Sequence, residues 1–227
     1  MGWSGPPIRS RSPVETSRSP RYRRSVSRIA PLELLVDLSI AVCRGDWDAL
    51  LALRAVRPPD RRFREALLQL HLFVGFPQVV EAFGRLERAG GVGAPSPEES
   101  ELEPDLPDRG RELFRRIYGD HAARVEQALG SHPQLHGWVL GHAYGRVLTR
   151  GGLATFEREL LAVTALCLRG PARQLASHLR GALACGATRA ELEELLTLLE
   201  GRLGPTAEHL SAARQALERL PLEPEAS

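Results

Sequence analysis

From Pro31 onward the chain repeats one pattern: leucine, alanine and valine at helical spacing, cut at intervals by glycine or proline. Leu34, Leu35, Leu38 and Val42 share one face of a first helix; Gly45 ends it, and Asp46 is the expected N-cap of a second helix running to about Val56. A third starts after Pro58-Pro59 and turns Phe63, Ala66, Leu67, Leu70 and Val74 inward. Gly75-Phe76-Pro77 breaks it and opens a fourth, with Val80, Phe83 and Leu86 inward. Further helices are expected at about 108–118, 121–130, 133–149, 155–169, 171–185, 189–202 and 205–219. Gly119, Gly130, Gly170, Gly186 and Gly204 are the expected left-handed stops, and Thr188 with Glu191 has the spacing of a capping box. β-branched residues are few and scattered, so no strand is expected and the fold class is all-α.

Only 5% of residues are aromatic, so the core must come mainly from Leu, Ala and Val. No apolar run approaches the ~18 residues of a membrane span. The three cysteines (Cys43, Cys167, Cys185) are odd in number and far apart, which is unlike a secreted disulfide framework and points to the cytoplasm. All 30 basic residues are arginine, a bias that fits high-GC coding, so arginine richness says little about nucleic acid.

The charge is unevenly placed. Residues 1–30 hold seven arginines and one acid, Glu15, among Ser and Pro, and are expected to be disordered. Three readings stay open there: a tail or a start upstream of the true one near Val26, a targeting segment, or a nucleic-acid arm. Residues 90–107 hold five acids with repeated Gly and Pro, and read as a solvated, self-repelling linker. The net charge of +2 therefore leaves the helical body near neutral, with no basic face for nucleic acid. The expected organisation is a tail (1–30), a first helical block (31–89), the linker (90–107), a longer block (108–220) and a short tail (221–227).

The two blocks look related. Leu35 through Gly45 resembles Leu160 through Gly170, and Glu65 followed by Gly75 parallels Glu194 followed by Gly204. Chance likeness of Leu/Ala-rich helices is the competing explanation.

Several stretches, in order, carry a family resemblance: Glu65-Ala-Leu-Leu-Gln69 into Gly75-Phe-Pro77; Tyr118-Gly-Asp-His121; Tyr144-Gly145 through Arg150-Gly-Gly-Leu153; Glu157-Arg-Glu159; Gly170; Gln174 through His178; and Ala182 through Glu191. Over roughly 32–89 and 108–204 the chain resembles the carboxymuconolactone decarboxylase-like superfamily, which includes the AhpD-type alkylhydroperoxidases. The resemblance implies an all-helical AhpD-like bundle, here with two related blocks in tandem, that self-associates; two blocks per chain would let a trimer imitate a six-copy ring. In AhpD-type members a Glu lies nineteen residues before a His with a Cys-x-x-Cys pair between. Glu159 and His178 keep that spacing, but the cysteine positions fall on Pro171 and Gln174. A thiol peroxidase needs an attacking and a resolving thiol within reach, so that activity is not expected.

Without the thiols, Glu159 and His178 can still do acid–base work, the carboxylate orienting the imidazole. The decarboxylase branch implies a small carboxylated substrate, with His178 as proton donor or relay. Arg150, by the resemblance, or Arg173, by proximity, would hold the substrate carboxylate, with Gln174 and Tyr144 beside it. The bland alternatives are a first-turn acid for Glu159 and an ordinary helical histidine for His178. His136 and His142 read as core-edge or interface residues, and His132 as a helix-start feature. No metal-ligand motif is present, so neither metal nor cofactor is expected. If Gly45 aligns with Gly170, Glu159 falls on Leu34 and His178 on Leu53, so the first block would pack rather than catalyse, with Phe73, Phe76 and Phe83 covering the site or a subunit contact. Three functions remain: a cofactor-free decarboxylase-like enzyme, an AhpD-like antioxidant protein, and a non-catalytic oligomeric scaffold.

Overall fold

The computed structural model describes residue 1 and residues 27–100, 107–204 and 208–220. The expectations for most of the N-terminal tail, for 221–227 and for a helix start at 205 lie outside the described residues. Among the described residues the fold is helical with no strand.

The first block is built as its punctuation dictates. Helix α1 (Glu33–Arg44) ends on Gly45, whose φ of 69° is left-handed, and Asp46 accepts the Ala49 N–H to start α2 (Trp47–Val56). Asp60 caps α3 (Arg61–Gln69) in the same way. A single turn, His71–Val74, then leads through Gly75 into α4 (Phe76–Arg88), with Pro77 in its first turn.

The second block begins with α5 (Pro107–Tyr118), α6 (Ala122–Leu129) and α7 (Pro133–Gly137). The helix expected over 133–149 is not uniform: α7 passes at Trp138 into a π-helix, Trp138–Leu148. Then follow α8 (Thr155–Arg169), α9 (Ala172–Ala184), α10 (Arg189–Leu203) and α11 (Glu208–Glu218). The Thr188–Glu191 capping box forms as expected. Two of the expected left-handed stops do not: Gly130 (φ −67°) and Gly170 (φ −97°) have ordinary backbone. Gly130 stays helical, and Gly170 leaves α8 extended so that Pro171 can open α9. Gly75 and Gly204, the repeat pair, share nearly one conformation (φ 82°, ψ 162° and φ 87°, ψ 154°), whereas Gly45 and Gly170 do not.

One core joins the two blocks. Leu38, Val42, Leu67 and Leu86 from the first are buried with Leu160, Val163, Leu179 and Leu196 from the second. Leu113, Phe114, Ile117 and Tyr144, from α5 and the π-helix, form a second cluster. The two clusters leave a cleft between them.

A dry ionic cluster crosses the blocks. Glu65 on α3 is fully buried; its carboxylate accepts Arg150 Nε and Nη2 and Arg158 Nη2 at 2.8–3.0 Å. Gln69 completes it, giving its amide N–H to Arg158 O and accepting from the Arg158 guanidinium. Burial pulls Arg158 below its ordinary pKa, and Glu65 pulls the other way. The stretch expected to be a solvated linker is partly docked on the same face. Glu98 pairs with Arg61, and Glu99, nearly buried, receives both ends of the Arg64 guanidinium, which holds its carboxyl down at about 2. Arg61 and Arg64 on α3 face that stretch, so Glu98 and Glu99 find partners instead of repelling each other; residues 101–106 of the expected linker lie outside the described residues.

Gly110 sets how closely α5 meets the π-helix. A Cβ there would lie 1.9 Å from Leu140 O and 2.8 Å from Gly145 N. Both are backbone atoms that cannot yield as a side chain can. Gly110→Ala is expected to cost about 1–3 kcal/mol, the usual range for overpacking. Thermal denaturation reads it as a lowered midpoint; an unchanged midpoint would mean that the two helices can separate freely.

Candidate active site

Glu159 lies in the second turn of α8, wholly buried, and His178 lies in the second turn of α9, which packs antiparallel beside it. Their side chains meet: Nδ1 of His178 is 2.8 Å from Oε2 of Glu159. Since a carboxylate only accepts, Nδ1–H donates and Nε2 is left as the nitrogen for a substrate. Gly181, one turn beyond His178, makes the room; a Cβ there would sit 2.7 Å from that same carboxylate oxygen. Phe73 meets the imidazole edge-on, with ring centroids 5.7 Å apart.

His178 lines a cavity of about 500 Å³ between the two clusters, a size that suits a small molecule. Its walls are mainly apolar. The polar groups reaching it are His178, Gln174, His142, Tyr118, Tyr144 and Arg169. Tyr144 is buried, and its hydroxyl donates to that of Tyr118 at 3.1 Å. Loss of hydration raises both phenols above their ordinary pKa, Tyr144 strongly.

Of the residues singled out in the sequence, His178, Gln174 and Tyr144 line this cavity, and Glu159 stands behind His178. Arg150 and Arg173 do not line it. Arg150 is held by Glu65 in the inter-block cluster, and Arg173 is exposed on α9. Arg169, not singled out, lines the cavity instead, tethered by its Nε to Cys43 O at 2.6 Å. Also missed was His71. Its Nδ1–H donates to Leu68 O, so its Nε2 accepts from Nε2–H of His142 at 2.7 Å. This bridge ties the 71–74 turn to the π-helix at the cavity wall. His132 caps α7 by accepting the Gln134 N–H, and His136 pairs with Glu126. Phe73 covers the site, Phe76 stacks on His71 at the surface, and Phe83 packs on the main core. Leu34 and Leu53, the counterparts of Glu159 and His178, also pack on the main core.

The thiols are placed poorly for redox work. Pro171 and Gln174, where the thiol pair would fall, both line the cavity but carry no sulfur. Cys43 and Cys167 are buried and pushed up to about 12; Cys185 is pushed up to about 11, burial being the main cause in each. At neutral pH the thiolate fraction of the first two is on the order of 10⁻⁵. Native protein mixed with a disulfide reagent at pH 7 is therefore expected to react orders of magnitude more slowly than protein unfolded in denaturant. Equal rates would contradict the buried placement.

Among the described residues no group of three or more His, Cys, Asp or Glu side chains is placed to hold a metal ion, and no helix is long and apolar enough to cross a membrane.

The model of the carboxymuconolactone decarboxylase family matches residues 133–218, which include the π-helix, Glu159 and His178. "Peroxisomal protein 2" of Schizosaccharomyces pombe is 31% identical over 137 residues, a match covering 58% of this chain and 63% of that relative. Residues 133–218 of the chain are thus similar to the carboxymuconolactone decarboxylase family.

Proposed function

We propose that the chain is a cofactor-free acid–base enzyme, a decarboxylase or related lyase, acting on a small carboxylated metabolite. The observation that carries this reading is the 2.8 Å hydrogen bond from His178 to buried Glu159 at the wall of the cavity. The carboxylate fixes the imidazole's orientation and stabilises its protonated form, so His178 Nε2 can deliver a proton to a carbon that has lost CO2. Arg169 takes the part first given to Arg150. It is the one permanent cation lining the cavity among the described residues, and its tether to Cys43 O holds it there to receive a carboxylate. The apolar walls limit the access of water to the reacting carbon.

The buried, protonated thiols and the missing cysteine pair speak against a thiol peroxidase using the AhpD-type pair. Self-association belongs to the same reading: Phe76, Val80, Leu135 and Trp138 are large apolar side chains left exposed. The direct test is release of CO2 from carboxymuconolactone and related small acids by wild type and by the His178→Ala protein.

A further inference from the structure

The cavity holds two phenols that proton transfer by His178 does not use. They stand in series. Tyr144, 6% exposed, gives its O–H to the Tyr118 oxygen at 3.1 Å. A phenol has one proton to give, and among the described residues no protein acceptor takes that of Tyr118. Both hydroxyls are neutral donors at physiological pH because burial disfavours their anions, and the charge on Glu159 adds to this. Phe114 fixes both rings, with centroids 4.5 Å from Tyr118 and 5.1 Å from Tyr144. A held donor with an unspent proton, strengthened by a second donor behind it, is the arrangement that stabilises negative charge forming on an oxygen.

We propose that Tyr118 is a catalytic residue whose O–H donates to a carbonyl oxygen of the substrate. The substrate is then a carboxylic acid whose carbonyl is conjugated, directly or through a double bond, with the carbon that bears the carboxylate. This rests on the acid–base reading of the same cavity. The carbon–carboxylate bond breaks, CO2 departs, and the bonding electron pair passes into an enolate whose oxygen accepts from Tyr118. The enolate carbon then takes a proton from the His178 imidazolium, restoring the carbonyl, and His178 regains a proton from solvent. Charge balances: one carboxylate and one proton become CO2 and a C–H bond.

Substituted phenols mimic an enolate oxygen, and Trp138 lines the cavity as a fluorescent reporter. In wild type, binding should tighten along a series of phenols of increasing acidity. Tyr118→Phe keeps the ring and should weaken binding about 10- to 100-fold, the range for a hydrogen bond to a charged group, and flatten the dependence on acidity. Tyr144→Phe should give a smaller loss. Tyr118→Phe binding within about twofold of wild type, or no phenol binding by wild type, overturns the proposal. His178→Ala separates the two readings. If it turns over like wild type while Tyr118→Phe flattens the phenol series, the acid–base reading falls and the donor stands. If it is inactive while Tyr118→Phe changes nothing, the reverse holds.

Discussion

Glu65→Ala is expected to destabilise the protein by about 3–5 kcal/mol, the range for breaking a buried ion pair by removing one partner. Glu65 is the only carboxylate paired with both Arg150 and Arg158 among the described residues. Arg158 is 1% exposed, so without Glu65 its charge has no water and no directly paired carboxylate. Its remaining contacts, to the Arg150 and Gly151 carbonyls and to Gln69, are too weak to replace a carboxylate. The loss also falls on the junction of the blocks, since α3 supplies the acid, while Arg150, before α8, and Arg158, in its first turn, supply the bases. For a chain of this size the shift corresponds to a fall of about 6–20 °C in the thermal midpoint. Removing the exposed Arg85–Glu81 pair should cost no more than about 1 kcal/mol. Denaturant unfolding of both variants checks the contrast; equal effects would mean that water reaches the Glu65 cluster.

His178→Ala is expected to lower kcat by about 10²–10⁴, the usual contribution of a positioned proton-transfer group. Its side chain is on the cavity wall, so its removal enlarges the cavity without breaching the main core. Turnover should fall far more than in Glu65→Ala; stability falls as well, because buried Glu159 loses its hydrogen-bond partner. Glu159→Gln should cost less activity than His178→Ala. The amide oxygen can still accept from Nδ1–H and hold the ring, but it brings no charge to stabilise the imidazolium. Rates of CO2 release, measured with the thermal midpoint of each variant, separate a chemical role from a structural one.

Much of the fold was legible because glycine, proline and capping residues mark helix ends whatever the tertiary context. Asp46, Gly45 and Thr188 each act where their chemistry placed them. The Glu159–His178 contact was legible only through its spacing in a family resemblance; periodicity alone does not reveal that α8 and α9 fold back to bring the two together. The π-helix was not legible, because over the eleven residues of Trp138–Leu148 an apolar pattern does not distinguish its wider turn from an α-helical one. Arg150 was misassigned because resemblance shows that an arginine matters but not what it touches. Its partner lies 85 residues away on α3. Long separation, 71 residues, likewise hid the His71–His142 bridge, and Arg169 looked like an ordinary helix-end cation until the cavity placed it.

If His178 and Glu159 act as one acid–base unit, their losses must not multiply. CO2 release from carboxymuconolactone by wild type, His178→Ala, Glu159→Gln and the double variant tests this directly. The expected result is that the double variant is no slower than His178→Ala alone, because the carboxylate works only through the imidazole. A double variant slower by the product of the two single losses, or a His178→Ala protein as fast as wild type, would contradict the account.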